Sequence, residues 1–329
     1  MLKNWKIGLG FLISIIALVW TFSGINFTDF FKSLAQANLL WFIPGLLAWF
    51  VTLLARAKRW SILMSDTPFM VTFHALNIGY LLNCVLPGRV GEIGRAFVIG
   101  ERTSLSAAKA MSSVIVERLF DLAVVVILFV VFAQFIPMSA DLARGASIAG
   151  ALVMLLVVMA GVMLWQSARV ERLLALLFRR ILPRVNAEPW LQRFRELCAG
   201  FRIVGTPWRF WNVVMLTAVI WVATIVFAYL VMAGFFAPRW DQSGLMIIVA
   251  NLAGALPSAP AGLGVVQGFA SKSLIVPFGM GPAQAALATA YVFVWSLVQI
   301  LGLIAFGLFG LASIGMSFSQ VTQRSRKNN

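Results

Sequence analysis

Apolar residues come in runs along this chain, and the lengths of the runs point to a membrane as their solvent. Continuous apolar stretches cover Lys6–Phe22, Leu39–Ala55, Ala146–Trp165 and Trp211–Phe235. Each is close to the roughly 20 residues that cross a hydrocarbon core of about 30 Å. Two longer stretches, Ser104–Ile136 and Pro282–Ser313, predict long helices. Between these lie paired short runs. Val71–Leu86 meets the breaker Pro87-Gly88 and a glycine-punctuated arm carrying Arg89, Glu92 and Arg95, whereas Gly244–Leu256 and Gly262–Val276 flank Pro257-Ser-Ala-Pro260. Arms this short, joined at helix-breaking tips, predict re-entrant hairpins, whose irregular backbone is tolerated at depth only inside protein or beside a polar cavity. The pattern predicts an all-α polytopic membrane protein with about six transmembrane helices plus two re-entrant helical hairpins.

Composition agrees. Of 329 residues, 61% are hydrophobic and 11% charged, against about 25% charged in soluble domains. Mean hydropathy is +0.93. A soluble enzyme, a disordered chain and a disulfide scaffold are excluded. The net charge of +15, from 26 Lys+Arg against 11 Asp+Glu, fits cytoplasmic loops that fix topology and face anionic lipid, not nucleic acid. Lys3 and Lys6, the run Arg56–Arg59, and Arg324–Lys327 put both termini and the end of the second span on the cytoplasmic side of the membrane. Residues 167–211 carry nine arginines and three glutamates. Their apolar faces (Val170, Leu173, Leu174, Leu177, Ile181; then Trp190, Phe194, Leu197, Phe201) predict amphipathic helices on that surface. The apolar part of the first run, Ile7–Phe22, has 16 residues, slightly more than a signal-peptide core of roughly 7–15, and is expected to be retained as a span. Cys84, Cys198 and the single His74 have no metal-ligand spacing, so neither a metal nor another cofactor is expected.

The chain repeats itself. Pro87-Gly-Arg-Val-Gly91 corresponds to Pro260-Ala-Gly-Leu-Gly264, and Asn83 and Asn251 precede the two tips. In the long helices Ala107, Ala108, Ala110, Val114, Val116 and Leu119 recur as Ala285, Ala286, Ala288, Val292, Val294 and Leu297, a constant offset of 178. The charge bias makes the first hairpin enter from the cytoplasm and the second from outside. The whole chain, 1–329, therefore reads as a single membrane domain with inverted, repeat-like halves at about 39–136 and 211–316, an architecture of secondary transporters.

The run Asn83-Cys-Val-Leu-Pro-Gly-Arg-Val-Gly-Glu-Ile-Gly-Arg95, followed by Val116-Glu-Arg-Leu-Phe-Asp121, resembles the transmembrane, flippase-like region of lysylphosphatidylglycerol synthetases, which also occurs as free-standing inner-membrane proteins. The second family signature, Pro-Gly-Gly-aliphatic-Gly-x-x-Glu, here reads Pro260-Ala-Gly-Leu-Gly-Val-Val-Gln267, with alanine for one glycine and Gln267 for the acid. The resemblance implies movement of a lipid or lipid-linked anionic headgroup between leaflets. It does not imply lysyl transfer, because the aminoacyl-transferase domain of that family has no counterpart in this sequence.

Ionisable residues inside a membrane cost roughly 2.5–3.5 kcal/mol each and need a partner or a task. Glu117 and Asp121 share one helix face, with Arg118 about 100° around it. Two readings stand side by side. In one, Arg89, Glu92, Arg95, Glu117, Arg118 and Asp121 form an ion-pair network pinning the first hairpin to the following helix. In the other, Arg89 and Arg95 receive a phosphate, the acids orient them, and Asn83, Asn251 and Gln267 add polar contacts. Gly88, Gly91, Gly262 and Gly264 suit tight turns beside Pro87, Pro257 and Pro260. No Walker A, Gly-x-Ser-x-Gly or His-Glu-x-x-His motif occurs, and no enzymatic activity is expected. The expected function is transport of a membrane lipid, anionic or lipid-linked, beside a partner enzyme of lipid or envelope-glycan synthesis. The alternative is an intramembrane transferase, or its accessory subunit, acting on a lipid-linked sugar or phosphate.

Overall fold

The computed structural model describes residues 5–64, 67–86, 90–135, 166–181, 206–256 and 258–316, with scattered positions within 144–161 and 188–195. Among the described residues there is no strand. Helix α1 (Trp5–Phe22) turns through 87° into the short α2 (Phe27–Ala35), whose start is capped by Asn26 accepting from the Thr28 N–H. A 3₁₀ turn at Leu39–Trp41 leads into α3 (Phe42–Leu63). Then come α4 (Phe69–Val85), α5 (Gly91–Arg102) and α6 (Ala107–Ala133), the last capped by Ser106. After α7 (Ser167–Ile181), α8 (Pro207–Ala233) opens on a proline, which suits the first helical turn. Helix α9 (Trp240–Ala253), a 3₁₀ turn at Pro260–Gly262, α10 (Val265–Ile275) and α11 (Pro282–Ile314) complete the fold.

Among the described residues three helices are long and apolar enough to cross a membrane: Leu39–Leu63, Pro207–Ala233 and Pro282–Ile314, with the bent α1–α2 pair as a fourth candidate. The expected count is higher for two reasons. Helix α6 has the length, but its apolar part begins only after Glu117, Arg118 and Asp121. Half of the expected crossing at 146–165 lies outside the described residues. The second span also runs further than its apolar pattern suggests, through Arg56, Lys58 and Arg59 to Leu63 instead of stopping at Ala55. That extension carries Arg59 into the interior, where its side chain is 0% exposed.

The order helix, paired short helices, long helix occurs twice, as α3–α4–α5–α6 and as α8–α9–α10–α11. Helices α3 and α8 pack along one another, with Gly45 beside Val231 and Phe227, and Leu53, Ala57, Val213 and Ile220 belong to the same core. The partnerships cross over: α4 lies against α11, and α9 against α6. Small residues allow the closest approaches. A Cβ on Gly79 would come within 2.7 Å of the Gly91 carbonyl oxygen, and one on Gly91 would collide with that of Gly79, so the arms α4 and α5 touch backbone to backbone. Helix α1 lies on α10 in the same manner, with Gly264 against Ser14 and Gly268 against Thr21, while the Ser14 hydroxyl accepts from the Ala259 N–H at 2.8 Å. The turn at 260–262 also contacts α4, so the second tip meets the first hairpin.

Candidate functional site

The buried polar centre is assembled from four helices. Helix α3 contributes Arg56 and Arg59, α5 contributes Glu92 and Arg95, α6 contributes Glu117, Arg118 and Asp121, and α8 contributes Thr217. Arg59 grips Asp121 with both terminal nitrogens, Nη1 to Oδ1 at 2.8 Å and Nη2 to Oδ2 at 3.2 Å. Its Nη1 also donates to the Thr217 hydroxyl at 3.0 Å, and its Nη2 lies 3.3 Å from Glu117 Oε1. This bidentate fork matches carboxylate geometry. Because Thr217 belongs to α8, one guanidinium joins the first set of four helices to the second.

Glu117 sits between two arginines. Arg95 Nη1 lies 3.1 Å from its Oε2, an ion-pair contact without the angles of a hydrogen bond. The Arg95 guanidinium stacks 4.6 Å over the Trp60 ring, and Trp60 donates its indole N–H to the Ser113 hydroxyl at 2.8 Å. Glu117, Arg59 and Arg95 are sealed from solvent. At the edge the picture changes. Arg118 brings both Nε (3.1 Å) and Nη2 (2.7 Å) to the same oxygen, Oε1, of Glu92. That pair keeps 39% and 24% of its side-chain surface exposed. Arg56 and Arg118 both point at Asp121 Oδ2 but stop at 3.9 and 3.7 Å. Among the described residues the cluster holds four guanidiniums and three carboxylates, one positive charge in excess.

The structure therefore brings together Glu92, Arg95, Glu117, Arg118 and Asp121. Asn83 plays a different part, with its Oδ1 accepting from the Gly91 N–H at 2.8 Å and so closing the start of α5. Gln267 does the matching job in the second hairpin. Its Oε1 accepts from the Gly264 N–H at 2.7 Å, and its Nε2 donates to the Ser296 hydroxyl of α11 at 2.6 Å. Asn251 is exposed and donates to the Ile247 carbonyl of its own helix. The bonds of Gln267 and Asn251 thus stay within the second hairpin and α11, apart from the charged cluster. Pro260 and Gly262 form the second tip with Ala261, and Gly262, Ala261 and Gly264 all have positive φ (69°, 59° and 84°). Pro87, Gly88, Arg89 and Pro257 lie outside the described residues.

Arg59, Arg56 and Thr217 are absent from the set expected on sequence. A Lys/Arg run at the end of an apolar stretch reads as topological charge. The available signal is a match of spacings: Arg56 and Arg59 three apart on one helix, Glu117 and Asp121 four apart on another.

These features define the class first: a polytopic helical membrane protein with a buried ion-pair cluster beside a short helical hairpin. The family model for the lysylphosphatidylglycerol synthase TM region matches residues 7–307, and the chain belongs to that family. Comparison with curated proteins and with solved structures gives no match.

Proposed function

We propose that this chain moves a lipid, or a lipid-linked group with an anionic headgroup, between the leaflets of the cell inner membrane. The observation that carries the reading is the excess guanidinium in the cluster at the first hairpin. A cationic surplus inside a membrane protein is costly unless an anion shares the site, and a phosphate-bearing headgroup is the anion at hand in a bilayer. The repeated element order and its crossed packing support two halves of inverted orientation, one hairpin entering from each face. In this reading the halves span 39–136 and 211–316, both termini and residues 167–211 are cytoplasmic, and a separate enzyme of lipid or envelope-glycan synthesis supplies the lipid.

The test is reconstitution of the full chain in phosphatidylcholine vesicles containing a headgroup-distal fluorescent phosphatidylglycerol. Dithionite added outside quenches the outer leaflet alone, about half of the label in protein-free vesicles. Transport predicts quenching beyond that half with phosphatidylglycerol and less with phosphatidylcholine carrying the same label. Protein-containing vesicles that stop at half for anionic lipid overturn the proposal.

A further inference from the structure

We infer that an anionic phosphate group binds at the accessible edge of the cluster, between Arg56 and Arg118, by displacing Glu92 from Arg118. This rests on the transport reading above and names the residues at which the headgroup is taken up. The four arginines are not equivalent. Arg59 is sealed and spends both terminal nitrogens on Asp121, Thr217 and Glu117. Arg95 is enclosed between the Trp60 ring and Glu117. Arg56 and Arg118 remain, both partly open and both aimed at Asp121 Oδ2 from distances too long for a hydrogen bond. The excess positive charge of the cluster resides here.

Arg118 also presents the edge that phosphate prefers. Its Nε and Nη2 form a planar fork that takes two oxygens of one phosphate. In this structure both nitrogens converge on a single oxygen of Glu92, a geometry that leaves half of the fork's capacity unused. Glu92 is thus a resident competitor, a carboxylate from α5 in the place of a phosphate. Exchanging it for a headgroup breaks the exposed ion pair between α5 and α6 while the buried Arg95–Glu117 contact and the packing of the two helices stay in place. Binding and loosening of the hairpin arm are then one event.

The experiment is affinity measurement by calorimetry on the full chain in neutral detergent. The probes are dihexanoyl phosphatidylglycerol, sn-glycerol 3-phosphate and dihexanoyl phosphatidylcholine, with unfolding midpoints recorded for every variant. Arg118→Gln is expected to weaken phosphatidylglycerol binding by at least about tenfold, the loss of a charged hydrogen-bonding pair. Glu92→Gln removes the competitor and is expected to tighten binding by about two- to fivefold, the range set by a partly exposed ion pair. A purely structural pair gives no such opposition of sign, since both variants then only lower the unfolding midpoint. Folded Glu92→Gln protein that binds phosphatidylglycerol as wild type does, or more weakly, overturns the inference even where Arg118→Gln fails to fold. Binding of glycerol phosphate as tight as that of the lipid assigns the site to free phosphate esters and overturns its role in headgroup uptake. Wild-type lipid movement with an indifferent Glu92→Gln variant refutes this site while the transport reading stands; absence of lipid movement refutes the transport reading itself.

Discussion

Arg59→Met tests whether the buried guanidinium holds the two sets of helices together. The substitution deletes the 2.8 and 3.2 Å bonds to Asp121, the 3.0 Å bond to Thr217 and the 3.3 Å contact with Glu117. Removing one partner from a buried pair costs about 3–5 kcal/mol, because the remaining charge stays desolvated. Here the loss is softened. Glu117 keeps Arg95 at 3.1 Å, and Asp121 keeps Arg118 and Arg56 at 3.7 and 3.9 Å. The lower end, about 3 kcal/mol, is therefore expected. At about 2–4 °C per kcal/mol, that lowers the melting midpoint in detergent by roughly 6–12 °C, read by fluorescence-detected size exclusion after heating. Arg59→Met combined with Asp121→Asn should recover most of this loss, since an ion pair replaced as a unit is nearly neutral. Lys58→Met is the control, one residue away and exposed, with an expected change within about 0.5 kcal/mol. Arg59→Met melting with wild type, or a double variant no better than the single one, would refute the reasoning.

Ala261→Gly should raise stability by roughly 0.5–1 kcal/mol in the same melt, because Ala261 is held at φ 59° and the left-handed cost of about 1–2 kcal/mol exceeds the added unfolded-state entropy. Gly91→Ala should destabilise by about 1–3 kcal/mol or more, as its Cβ collides with the Gly79 carbonyl and crowds Asn83; a neutral result would mean the arms are not in contact. A cysteine placed at Trp190, in a background lacking Cys84 and Cys198, should resist an impermeant maleimide added to intact cells and react after permeabilisation. Labelling in intact cells would reverse the proposed orientation.

Where sequence pattern and structure agree, the cause is periodicity. Apolar runs, long and short, punctuated by proline-bearing tips, leave few choices of helix, and α4, α5, α9, α10 and α11 fall where the pattern sets them. The charged members of the site on α5 and α6 were legible for a similar reason, since Glu117 and Asp121, four apart beside an apolar run, share one helix face and call for partners. Arg59 was not legible. A guanidinium at the end of an apolar run has the same local sequence whether it meets water or a carboxylate from another helix, and the deciding information lies 62 residues away. Thr217 was hidden by a habit of its residue type. Hydroxyls in apolar helices bond the carbonyl four residues back, as Thr217, Thr224 and Thr289 all do, so nothing marks the one that also accepts from an arginine. The nine-residue α2 depends on Phe30 packing against Phe22 and Phe293, contacts that no local pattern encodes.

The two halves share a mechanical plan and differ in its chemistry. The 178-residue offset sets Ser296 opposite Arg118, Trp295 opposite Glu117 and Gln299 opposite Asp121. Each half ties the second arm of its hairpin to its long helix through side chains, Glu92 to Arg118 in one and Gln267 to Ser296 in the other. Each also closes the start of that arm with an amide oxygen on a glycine N–H, at 2.8 and 2.7 Å. The first tie is charged and partly exposed, the second neutral and buried. Salt screens the former, because exposed charges feel a Debye length of about 8 Å at physiological ionic strength. A neutral buried bond has no such sensitivity. The amide of Gln267, where a glutamate would carry charge, is what makes the second tie neutral. Among the described residues the charged hairpin tie is that of Glu92 and Arg118, and in the transport reading proposed above an anionic headgroup acts on that tie and leaves the other unchanged.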